Sequence, residues 1–170
     1  MVNRIDSVAK ELHALLNKNN SMESIGEAFI HLYGVSHFCT LLALKRNLDI
    51  ELCSIMGLLH DIYTYTQGYN KEHGKLGAEI TEDLLRKLNI FEEVEITIIC
   101  QAILNHSDKK SIHDSYSELL KDADSIQSFL QVPFSASKHK KRIKNVFKEI
   151  GINVKLKDIA NSFTTETSNL

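Results

Sequence analysis

The chain has 170 residues, 43% hydrophobic and 25% charged, with a formal net charge of −2. That profile excludes a disordered or fibrous chain, and the near-neutral balance argues against dedicated nucleic-acid binding, which brings a clear positive excess. A chain of this length buries roughly 70% of its unfolded surface, so it needs no disulfide or structural metal to stay folded, and any metal site is free to be catalytic.

The amino terminus, Met-Val-Asn-Arg-Ile-Asp-Ser, turns polar at once, without the apolar core of a signal peptide. The longest apolar runs, 55–59 and 96–100, fall short of the roughly 20 residues that cross a bilayer. The expectation is a cytoplasmic protein with no membrane partner. Cys39, Cys53 and Cys100 lie far apart in apolar segments and form no Cys-x-x-Cys pair, which predicts buried thiols in a reducing compartment.

Apolar residues recur at helical spacing from the start: Ile5, Val8, Leu12, Leu15 and Leu16, then Ile25, Phe29 and Leu32. Strand-like alternation is almost absent, and Pro133 is the only proline. The predicted class is all-α: a single-domain helical bundle over 1–163 with a polar tail, 164–170. In chain order the pattern predicts helices at about 3–17, 22–32, 35–47, 50–64, 71–88, 91–106, 115–131, 136–150 and 155–163. Asp49 can cap the helix that opens Ile50-Glu51-Leu52, and Ser115-Tyr116-Ser117-Glu118 fits a capping box. Turn-forming residues make loops of 65–70 and 107–114.

Two of these helices carry the chemistry. His60-Asp61 closes the apolar run Ser54-Ile55-Met56-Gly57-Leu58-Leu59, so two strong metal ligands stand where a buried helix ends. An ionised aspartate is costly away from water unless it is paired or bound to a metal, and one cation would satisfy both side chains. Upstream, His37 opens a second apolar segment that a helix can place against His60. Downstream, Lys121-Asp122-Ala123-Asp124-Ser125-Ile126 puts carboxylates inside another periodic helix. Residues two apart point about 200° from one another, so Asp122 and Asp124 cannot both face one ion. Mixed imidazole and carboxylate ligands suit a divalent transition ion, Mn, Fe, Co, Ni or Zn.

The order His37, His60-Asp61, Asp124 resembles the HD-domain superfamily of metal-dependent phosphohydrolases over about residues 33–130. Val35-Ser36-His37, Gly57-Leu58-Leu59-His60-Asp61-Ile62 and Asp122-Ala123-Asp124 look like that family's local contexts. The resemblance implies a metal held by His37, His60, Asp61 and Asp124, with Asp124 preferred to Asp122 because the family's last ligand follows alanine. It implies attack of a metal-activated water on phosphorus, with His60 and Asp61 as the catalytic pair. His73 and His106 match extra histidines of two-metal branches, so the count is one ion or two; the plainer reading has them bind phosphate or end a helix. Lys75, just after His73, is the nearest cation for a phosphate, set against an ordinary solvated lysine.

His113-Asp114 repeats the doublet in a polar loop and reads as a decoy, with Asp114 available as a cap. His13, His31 and His139 fall outside the motif order and read as structural or surface residues. The basic stretch 138–148 reads as a solvated face, with a substrate-attracting rim as the second reading. The acidic pair of ppGpp hydrolases is missing after Asp61, and Gly68-Tyr69-Asn70 is not the Gly-Tyr-Pro of cyclic-di-GMP phosphodiesterases. The expected partner is therefore a small phosphate ester such as a nucleotide. A metal-binding or nucleotide-sensing module of low turnover is the alternative. Exposed apolar residues on the first helix would allow a homodimer.

Overall fold

The structure is a computed structural model that describes residues 3–19, 21–131, 139–153 and 155. Eight helices follow one another: α1 (Arg4–Asn19), α2 (Met22–Arg46), α3 (Ile50–Leu59), α4 (Ile62–Gln67), α5 (His73–Leu88), α6 (Glu93–Asn105), α7 (Ser115–Gln131) and α8 (Lys140–Glu149). No strand occurs among the described residues, as the all-α reading expects. Except for Lys155, the helix expected at 155–163 lies outside the described residues, as does the tail 164–170. So does the start of the helix expected at 136; α8 begins at Lys140.

α2 is the central element, packed along α3 and α7; α3 also touches α6, and α5 pairs with α6. α1 covers α3, α4 and α5, and α8 lies on α7. On α1, Val8, Leu12 and Leu16 are fully buried, and among its described residues it exposes no large apolar side chain of the kind expected to pair subunits. α2 has the length and apolarity of a membrane span, but Ala28, Leu32, Val35, Cys39 and Leu42 on it are buried in the core. Cys39 and Cys53 are buried, Cys100 is half-buried, and all three are free thiols. Burial pushes Cys53 and Cys100 up to about 12.

Two predicted boundaries move, and both moves shape the site. The helices expected at 22–32 and 35–47 are one, running through Gly34. A Cβ there would stand 2.3 Å from the Gln127 side chain, so this glycine admits α7 rather than breaking α2. Conversely, the single helix expected at 50–64 is two. α3 ends at Leu59, and Asp61 leaves helical geometry at φ −110°, ψ 22°, the bridge region where active-site residues gather. The break frees Asp61 from the helix surface; its carboxylate caps nothing in α4. α4 then continues to Gln67, three residues into the expected loop.

Small residues bring α2 and α3 together. Ser36 Oγ donates to Ser54 O at 2.9 Å, and a Cβ on Gly57 would stand 2.5 Å from Ser36 Cα and 2.7 Å from its nitrogen. Backbone cannot yield as a side chain does. Gly57→Ala is therefore expected to destabilise the protein by at least about 1–3 kcal/mol, read as a lower urea midpoint with unchanged m. An unchanged midpoint would contradict the contact.

The expected helix caps at Asp49 and Asp114 are present. Asp49 Oδ1 accepts from the Leu52 N–H at 2.9 Å, and Asp114 Oδ1 accepts from Tyr116 and Ser117 at 3.0 Å each. The capping box expected from Ser115 is thereby displaced one residue back. Glu118 accepts from the His113 N–H at 3.1 Å, because the carboxylate of Asp114 already serves the free amides. Lys121, fully buried on α7, donates to Ser111 O at 3.1 Å and Glu118 at 2.8 Å, and its ammonium meets His113 Nδ1 at 2.6 Å. A buried ammonium needs such partners, and here they tie the loop 107–114 to α7.

Candidate metal centre

Four helices and the break after α3 bring six side chains to one place. His31 comes from the middle of α2, His60 and Asp61 from the α3–α4 break, His73 from the start of α5, His106 from the end of α6 and Asp124 from α7. His60 is 0% exposed, His106 2% and Asp124 6%. So much polar surface in a helical core requires a partner.

The donors fall into two groups joined by Asp61. In the first, His31 Nε2 stands 3.2 Å from His60 Nε2 and 3.6 Å from Asp124 Oδ1, while Asp61 Oδ2 lies 3.4 Å from His60 and 3.7 Å from His31. In the second, Asp61 Oδ1 lies 3.4 Å from His106 Nε2 and 3.6 Å from His73 Nε2, and those two nitrogens are 3.2 Å apart. Donors about 2.1 Å from a shared ion stand about 3.0–3.4 Å apart at neighbouring positions and about 4.2 Å apart across it. The separations in the two groups, 3.2–4.0 Å, all lie between those limits.

Hydrogen bonding turns the rings the right way. With the proton on Nδ1, His60 donates to Gly57 O at 2.9 Å, His73 to Asn70 O at 2.9 Å and His106 to Ile103 O at 2.6 Å. Each carbonyl lies three residues earlier, so the same local device orients all three rings and leaves each Nε2 lone pair facing inward. Two lone pairs opposed at 3.2 Å repel unless a proton or cation stands between them. Asp61 Oδ1 is buried and has no hydrogen-bond partner. A divalent ion in each group would satisfy the nitrogens and the orphaned oxygen together, so the residues fit two such ions.

The charges are tightly coupled. Burial works against ionised Asp61, but His60 and His106 hold its carboxyl well below the usual range. Burial works against ionised Asp124 too, and there Lys109, followed by His60, keeps the carboxyl low. At His60 burial opposes the proton, yet Asp61 and then Asp124 raise the imidazole above its ordinary value. His31 goes the other way, pushed down by burial and then by His60.

His37 is not part of this constellation. It is exposed on α2, whereas His31, expected to be structural or superficial, sits in the first group. Six positions along one helix turn about 240° around its axis, so the two histidines cannot share a face. His31 shares the buried face of Ala28, Leu32, Val35 and Cys39; that register was readable once α2 is taken as continuous. Lys75 is also displaced: it is exposed and lines a cleft between α5 and α6 with Glu79 and Gln101. The lysine that reaches the centre is Lys109, whose ammonium pairs with Asp124 Oδ2. Nothing local marked it, because the approach depends on how Lys121 folds the loop back. Asp122 points to Arg46 and Arg142, at 2.6 Å from each, and away from the cluster.

Removing one histidine should separate the groups. If each group holds one ion, His106→Ala reduces bound metal from two ions to one, measured by elemental analysis after dialysis, with helical content retained. Two ions bound by that variant would contradict the division.

Residues 28–128 match the family model described as the HD domain, a span that covers all six donors and more than half the chain. No curated protein and no solved structure gives a significant match. HD domains are all-α, bind divalent metals and generally include metal-dependent hydrolases. With the break after α3 and the whole donor set inside the matched span, this chain belongs to the HD-domain family.

Proposed function

We propose that the protein hydrolyses a small phosphate ester, a nucleotide or similar metabolite, with two divalent transition ions. The observation that carries this is Asp61, whose two oxygens face two separate histidine pairs, Oδ2 toward His31 and His60 and Oδ1 toward His73 and His106. Divalent ions held there supply Lewis acidity to phosphate oxygens and lower the pKa of a water.

The chain's own groups complete the reading. Lys109 brings an ammonium to Asp124, where it can take a phosphate oxygen as a charge-assisted partner. Tyr65 is half-buried, its ring centroid 6.1 Å from that of His31. Burial first, then Asp61 and Asp124, push its phenol up, so it stays a proton donor at neutral pH. The Nδ1–carbonyl bonds keep three imidazoles from turning when a substrate enters.

The test is metal analysis of the purified protein, followed by a phosphatase screen across nucleotides with manganese, iron, cobalt, nickel and zinc. Phosphate release that requires added metal supports hydrolysis. Retained metal with no turnover on any nucleotide overturns it in favour of a metal-binding or nucleotide-sensing module.

A further inference from the structure

α2 carries an exposed apolar row that neither the core nor the metal centre uses. Ile30 is 61% exposed and Leu44 63%, with His37 exposed between them and Leu41 beside them at 45%. Residues 30, 37 and 44 are seven apart, and a helix drifts only about 20° over each such step, so the three stand almost in line. They lie opposite Val35, Cys39 and Leu42, which enter the core. α1, the helix expected to pair subunits, offers no such row among its described residues.

Charge is distributed along the same side of α2. The first turns carry Glu23 and Glu27, and the last turn carries Lys45. Glu27 and Lys45 are eighteen positions apart, five full turns at 3.6 residues each, so both flank the apolar row on the same side. Neither is in an ion pair among the described residues; Glu149, in electrostatic contact with Lys45, is held by Arg46 at 2.8 Å. One acidic and one basic side chain thus border an unpartnered apolar surface.

We infer that a second copy of this chain covers the row, α2 against α2, antiparallel about a two-fold axis near His37. Ile30 and Leu44 stand seven positions to either side of that axis, so Ile30 of one copy meets the partner's Leu44, and symmetry makes the contact twice. Antiparallel helices oppose like flanks. Glu27 therefore faces the partner's Lys45, again twice, whereas a parallel pair would set glutamate on glutamate and lysine on lysine. Opposed helix dipoles favour the antiparallel order too. A net charge of −2 adds little repulsion between copies. Pairing here does not depend on the hydrolase reading.

Sedimentation velocity of the full-length protein over the micromolar range, about 1–200 µM, should show a monomer giving way to a dimer. The exposed double variant Ile30→Glu/Leu44→Glu is expected to raise the dissociation constant at least about thirtyfold, the scale of one central interface residue, with unchanged far-UV circular dichroism. Glu27→Lys and Lys45→Glu each set like charges opposite one another and should weaken the dimer about threefold or more. Combined in one chain, they restore opposite charges and should return the dimer to within about twofold of wild type. That rescue would not follow from a merely structural effect of either residue, and it stands even if the apolar double variant fails to fold. A monomer at every concentration, or a dimer indifferent to Ile30 and Leu44, would overturn the interface. Failure of the combined charge exchange to restore pairing would overturn its antiparallel arrangement. Monomers that bind phosphatidylcholine vesicles through Ile30 and Leu44 would assign the row to a lipid surface and overturn the dimer as well.

Discussion

Asp61→Ala is expected to empty both ion sites at once and to lower metal-dependent phosphate release by at least about a thousandfold, equivalent to about 4 kcal/mol of transition-state stabilisation. No other substitution in the cluster should do this, because only Asp61 places an oxygen in each group. Helical content should survive, since the residue sits in the α3–α4 break and its side chain caps neither helix. A second readout needs no metal. In the metal-free protein Asp61 is the leading contribution that raises His60 against its burial. Without that carboxylate burial gains ground, and the His60 titration followed by NMR should move to lower pH. Wild-type phosphate release by Asp61→Ala would end the hydrolase assignment, and an unmoved His60 would show that the carboxylate does not face the ring.

Paired substitutions at His31 and His37 should give opposite results. His31→Ala removes a nitrogen 3.2 Å from His60 Nε2 and 3.6 Å from Asp124 Oδ1, and should weaken the first ion by more than the 10–100-fold that even an outer partner of a ligand costs. His37→Ala changes an exposed side chain on another face of α2 and should leave metal affinity and turnover at wild-type values. The measurement is competition against a chromophoric chelator, with far-UV circular dichroism as the folding control. Equal losses in both variants, or a loss only in His37→Ala, would reverse the assignment of the α2 ligand.

The contrast between these two histidines shows where local sequence is informative. His60-Asp61 was legible because an apolar run that ends in two costly polar residues needs a partner wherever it folds. Asp124 was separated from Asp122 by helix geometry together with the family's local pattern, and the structure places Asp124 in the cluster and Asp122 among arginines. On α2 the resemblance pointed to Val35-Ser36-His37, whereas the histidine that faces the cluster is His31, on the buried face that runs from Ala28 to Cys39 across the boundary expected between residues 32 and 35. Gly34 lies in that expected boundary, and it answers Gln127, a residue far away in sequence.

By itself, then, the sequence determined the all-α class, most helix positions, the doublet at the end of α3 and the family resemblance, because periodicity, capping and the cost of burying charge act over a few residues. Only the tertiary structure decided that α2 runs unbroken and turns His31 inward, that Asp61 divides its oxygens between two histidine pairs, and that Lys109 rather than Lys75 reaches the centre. Those are contacts between segments distant in the chain. Their geometry comes from which helices can approach closely, at Gly34 and Gly57, and from a loop that the buried Lys121 holds in place.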